Sequence, residues 1–196
     1  MDLPQGYVDL LRAAHLIFFA AGMGTALYLD FISFSSLSKP KRPRDIQDIE
    51  RIHRWVLLAF AGLWVTGLAL IYVRTGFDFA RFSPKLWMKV SIMVAMTVNA
   101  GIIGVFVMPA MRKLVGSRVI HLKGIALAAL TQVAIVSVFC WTSGVALGSS
   151  VVLKTAPWDV LLPLALGWFI VLTVCGQGVV FAQRNRQATA AGGIAA

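Results

Sequence analysis

Five stretches of this chain are apolar over a length that matches the thickness of a bilayer, and this constrains the fold more than any other feature. They run at about 7–36, 53–74, 85–108, 120–147 and 158–182. In lipid the backbone must satisfy its own hydrogen bonds, so an open segment can cross only as a helix. A transmembrane β-barrel would need stretches of alternating polarity, and none are visible. The expected fold is all-α: five transmembrane helices in a bundle with short loops, forming a single domain over residues 1–183. The remainder, 184–196, ends in ATAAGGIAA and reads as a disordered cytoplasmic tail.

The formal net charge is +10. In a soluble protein that would suggest nucleic acid. Here the basic residues fall between apolar runs, which excludes that reading and points to topology and to anionic lipid headgroups. Lys39, Lys41, Arg42, Arg44, Arg51, Arg54, Arg112, Lys113, Arg118, Lys123, Arg184 and Arg186 lie on one side, twelve in all. The other side has six: Arg12, Arg74, Arg81, Lys85, Lys89 and Lys154. The excess predicts a multi-pass protein of a bacterial-type inner membrane, with the N-terminus outside and the C-terminus cytoplasmic. The start lacks a basic n-region and a cleavage site, so it reads as the first span rather than a removable signal peptide.

Local chemistry predicts several helix ends. RDIQDIERIHRW places Ile46, Ile49, Ile52 and Val56 near one face, an amphipathic lead-in to helix 2. Asp45 can cap it, and Glu50 can pair with Arg54. Ser83 and Pro84 suit the opening of helix 3, and Pro109 its close. Pro163 is expected to kink helix 5.

Ionisable groups inside spans are costly and draw attention first. His15 lies deepest of the three histidines, on a face that continues through Gly22 and Ala26. A histidine with a glycine seven residues on suits a helix against a flat macrocycle. It equally suits close helix packing, with His15 bonded to a neighbour. His53 and His121 open helices 2 and 4 beside basic residues. They read as interfacial histidines facing headgroups, or as a bis-histidine haem pair at matching depth. Lys89 either snorkels or faces a buried anionic group such as a porphyrin or quinone substituent. Met93 and Met96 are filler or axial thioethers. Asp30 could pair with Arg51 or Arg54. Asn99, Gln132 and Gln177 read as interhelical hydrogen bonding, and Gly101, Gly104 and Gly144-to-Gly148 as close packing. Cys140 and Cys175 form no CxxC or CxxCH motif. No phosphate loop, HExxH, GxSxG or dinucleotide fingerprint occurs.

The early His15, the glycine-containing run after it, the basic link into helix 2 and W-x-K opening helix 3 together resemble the HemJ-type protoporphyrinogen oxidases. The CopD-like copper-resistance proteins share the general shape. The resemblance covers roughly residues 10–108. It implies b-type haem with His15 as the metal ligand, and a functional role for Lys89, with Lys85 the competing match. Two departures stand out: Asn99-Ala100 lies where the family has a later histidine, and five helices are counted where it usually has four.

Three functions follow as expectations. The first is a b-type haem protein for electron transfer or porphyrin oxidation, binding through His15, Gly22, Lys89, His53 and His121, with porphyrin or quinone as substrate. The second is a non-enzymatic subunit or assembly factor of a larger membrane complex, or a homo-oligomer. The third is a small-solute or metal permease.

Overall fold

The computed structural model describes residues 4–192 of the chain. Five helices are long and apolar enough to cross a membrane: α1 (Gln5–Ser35), α2 (Pro43–Thr75), α3 (Pro84–Lys113), α4 (Gly124–Ser149) and α5 (Trp158–Gly192). Short 3₁₀ turns at Phe79–Arg81, Val119–His121 and Val152–Lys154 sit in the links. Helices α1, α3 and α5 start at the same end, here the N-side; α2 and α4 start at the opposite C-side. α1 packs mainly on α2, and α4 lies between α3 and α5 while also touching α1.

Helix association in lipid relies on close packing and interhelical hydrogen bonds, because lipid tails are as apolar as the side chains. The central layer of the bundle has this construction. The Phe18 ring lies over Gly62, where a Cβ would come within 2.5 Å of it. The Trp141 indole lies equally close over Gly22, and the Phe19 ring covers Gly144. Phe19 and Trp141 meet edge to face, with centroids 5.5 Å apart. Three glycines thus receive three aromatic rings and close the middle of the bundle.

Several sequence expectations hold. The lead-in to α2 is helical from Pro43 and continuous with the span, with Ile46 and Ile49 buried. The Asp45 carboxylate accepts the Arg42 N–H at 2.9 Å. Ser83 accepts the Leu86 N–H at the start of α3, with Pro84 in the first turn. Asn99 donates to Val133 O at 3.2 Å, and Gln177 to Ala128 O at 3.0 Å and Gln132 Oε1 at 3.3 Å.

Others need correction. Pro109 does not close α3. The helix widens into a π-turn at Ile103–Val107 and continues to Lys113. Met108 N–H there reaches Ile103 O, five residues back, and the wider turn accommodates a ring that has no N–H of its own. α4 starts at Gly124, so His121 belongs to the preceding 3₁₀ turn rather than to a span. α5 runs past residue 182 to Gly192, so 184–192 is helix rather than disordered tail. Gln, Arg and Ala, all good helix formers, dominate that stretch. Residues 193–196 of the expected tail lie outside the described residues. Glu50 pairs with Arg112 at 2.6 Å rather than with Arg54, joining α2 to the end of α3. Gly101, Gly104 and Gly148 meet nothing within 4 Å and are not packing sites within the chain.

Candidate functional site

The C-side half of the bundle has a partly open cavity of about 150 Å³ between α1, α2, α3 and α4. Trp141 and Phe60 bound it toward the middle of the bundle, and Leu37, Lys41, Met111 and Val119 bound it at the C-side end. Ile103 and Val107, at the two ends of the π-turn, form part of its wall.

The C-side boundary is built by two loops hydrogen-bonded to each other. Lys41 N donates to Ser117 O at 3.0 Å, Gly116 N to Lys41 O at 2.8 Å, and Ile120 N to Leu37 O at 3.1 Å. Gly116 has φ +83°, a left-handed conformation that glycine adopts without strain. The Lys41 side chain is buried and donates from Nζ to Ser36 Oγ at 2.6 Å. Burial lowers its pKa from the ordinary 10.5, and the charge of Asp45 partly opposes this.

Besides Lys41 at its boundary, two ionisable residues line this mainly apolar space: Asp30 from α1 and His53 from α2. His53 is 8% exposed. Its Nε2 and the Asp30 Oδ2 are buried and have no hydrogen-bond partner. Ser137 of α4 and Asn99 of α3 also line the cavity. The expected pairing of Asp30 with Arg51 or Arg54 is not made: Arg51 reaches Asp48 at 3.8 Å, and no ion pair to Asp30 occurs among the described residues. Burying a charge or a polar group without a partner costs several kcal/mol, of order 2–7 for a polar group. Groups left so in a native fold call for an explanation, and a ligand, ion or proton is one.

The sequence-selected residues fall into two separate places. His15 belongs to the N-side half, where its Nδ1 lies 2.8 Å from Thr66 Oγ1. The Thr66 hydroxyl donates to Gly62 O at 2.7 Å, so it accepts from His15 Nδ1–H. That fixes the tautomer and leaves the Nε2 lone pair free. The His15 ring also lies on Gly67. Thr66 and His53 are thirteen residues apart on one helix, about 20 Å at 1.5 Å per residue. His15 and His53 therefore cannot share one cofactor. His121 is exposed at the C-side and does not line the cavity, so it is not brought to His53 there. The face of Gly22 assigned to a macrocycle is filled by the Trp141 indole.

Sequence reasoning selected His53 as a haem or headgroup residue and treated Asp30 as an ion-pair partner; it did not join them. The available signal was an aspartate about two turns past Gly22 and Gly24 in an apolar run. Among the described residues no group of three or more His, Cys, Asp or Glu could hold a metal ion. Comparison with known proteins finds no matching family model, no matching curated protein and no matching solved structure.

Proposed function

We propose that this chain is a membrane-embedded small-solute binding protein of the permease kind, whose solute enters the C-side cavity. One observation supports this best: Asp30 Oδ2 and His53 Nε2 are both buried without partners on residues that line the same cavity. Intramembrane ionisable groups that face a bundle interior mark solute and ion pathways. The aromatic layer on Gly22, Gly62 and Gly144 lies between this cavity and the N-side, as a barrier would in a carrier. The membrane is a bacterial-type inner membrane, with the C-side facing the cytoplasm because twelve of the eighteen Lys and Arg lie there. Anionic headgroups meet those basic loops.

The test is a screen of fragment-sized solutes for thermal stabilisation of the purified protein, followed by flux of each hit into proteoliposomes. Solutes that stabilise the wild type and lose the effect in Ala134→Phe, which fills the cavity wall, are the expected result. If no solute stabilises the wild type, the proposal is wrong.

The His15–Thr66 hydrogen bond favours a second reading, a b-type haem protein of the HemJ kind. Metal-bound histidines commonly donate their other ring N–H to an oxygen, as His15 does. His15 Nε2 would hold the iron and Lys89 would face an anionic substituent; haem, when bound, supplies one-electron chemistry. The fit is confined to these two residues, since Trp141 occupies Gly22 and the cavity lies in the other half. A cavity the size of a benzene guest is too small for a porphyrin. Reduced-minus-oxidised absorbance decides it: α and β bands lost in His15→Ala would support haem, and a protein still colourless after expression with excess haem would exclude it.

A further inference from the structure

The occupant of the C-side cavity can be narrowed by the chemistry of its wall. We infer that the cavity around Asp30 and His53 binds a small organic ammonium ion with an apolar body, an inference that rests on the solute-binding reading above.

Asp30 is the one carboxylate among the lining residues, and no cationic side chain among the described residues pairs with it. The other lining residue with a full charge, Lys41, has its ammonium on Ser36 at the loop boundary. An ionised carboxylate in an apolar enclosure needs a counter-cation, and none comes from the chain. An imidazole nitrogen without a partner accepts a hydrogen bond when the ring proton is on the other nitrogen, so His53 Nε2 can take a second N–H of the same ammonium.

The rest of the wall suits the body of such an ion. Phe34, Phe60 and Trp141 line the cavity, and aromatic faces attract cations while tolerating hydrocarbon. A volume of about 150 Å³ admits a guest of five or six heavy atoms, as apolar cavities of that size hold benzene. An inorganic cation would want several oxygen ligands, and the wall offers mainly hydrocarbon. An organic anion would meet the unpartnered carboxylate.

The experiment compares cyclopentylamine, protonated at neutral pH, with cyclopentanol, which matches it in size and shape but is neutral. Binding of each to the detergent-purified full chain is measured by calorimetry. The expected result is that wild type binds the amine about tenfold more tightly than the alcohol, a charge-assisted hydrogen bond and a cation–π contact supplying the difference. In Asp30→Asn the preference is expected to vanish while weak binding of the alcohol persists, which also reports that the variant is folded. If wild type binds the alcohol as tightly as the amine, the ammonium inference fails and the cavity reading stands. If neither binds, the cavity reading fails and takes the inference with it. A retained amine preference in Asp30→Asn likewise overturns the role given to Asp30. The comparison within wild type needs no variant, so a misfolded Asp30→Asn would not leave the question open.

Discussion

At the scale of single residues, glycine-on-ring contacts hold the middle of the bundle, and they make opposite predictions for neighbouring glycines. Gly62 has the Phe18 ring where a Cβ would stand, at 2.5–2.7 Å from three of its atoms. Gly62→Ala is expected to cost about 1–3 kcal/mol, because the ring must leave its place or the helices must part. Gly24, on α1, meets nothing within 4 Å. Gly24→Ala is expected to be neutral or to stabilise by up to about 1 kcal/mol, since alanine is the better helix former. Unfolding of the two variants in mixed detergent measures the difference. The His15–Thr66 bond gives a third case. Thr66→Val keeps the shape but removes the acceptor, with an expected loss of about 1–2 kcal/mol, whereas Thr66→Ser keeps the bond and most of the stability. Equal unfolding midpoints for Val and Ser would show that the bond contributes nothing. The sequence left His15 between a metal ligand and a packing hydrogen bond. The hydrogen bond is present, and it fixes a tautomer that leaves the ligand nitrogen free, so the alternatives do not exclude each other. Asp30 and His53 were not legible as a pair, because twenty-three positions and a loop separate them and only the packing of α1 on α2 makes them walls of one cavity. The arginines beside His53 pointed to the membrane surface, whereas the side chain turns into the bundle.

Among the elements, the spans themselves were legible, because bilayer thickness fixes their length and apolar composition marks it. Their ends were less so. Proline at 109 suits a stop, yet the backbone absorbs it with a π-turn and goes on. The two loops that bound the cavity carry almost no periodic signal, and their mutual hydrogen bonds depend on where four helices place them. Lys41 offers a test of that boundary. Its folded pKa is depressed by burial, so the folded state disfavours its proton, and stability rises with pH between that depressed value and the ordinary 10.5. Lys41→Met is expected to be no less stable than wild type at neutral pH, and wild type should gain on it as the pH climbs toward that ordinary value. Unfolding curves at several pH values check this, and an advantage of Lys41→Met that grows with pH would contradict it. The Glu50–Arg112 pair makes a smaller claim. Both side chains are partly solvated, 30% and 64% exposed, so a double-mutant cycle with Glu50→Gln and Arg112→Gln should return no more than about 1 kcal/mol, less at high salt.

For the whole molecule, two asymmetries point the same way. Twelve of the eighteen basic side chains lie at the C-side, and so does the cavity. Basic loops resist translocation, so the C-side is expected to stay in the cytoplasm and the cavity to draw its solute from there or release it there. Two of the cations in the basic rim around this cavity are already engaged. Lys41 bonds inward to Ser36, and Arg112 is paired with Glu50. Orientation is open to direct measurement. A green fluorescent protein fused after residue 196 should fluoresce, and alkaline phosphatase fused there should be inactive. The same phosphatase placed in the link between α2 and α3, near Phe77, should be active. The opposite pattern would put the cavity's half of the bundle outside. A second arm asks whether charge sets the orientation: changing Lys39, Arg42 and Arg44 to glutamine brings the C-side count from twelve to nine, against six. A mixed population of fusion signals is then expected, because the remaining bias is weaker but still of the same sign.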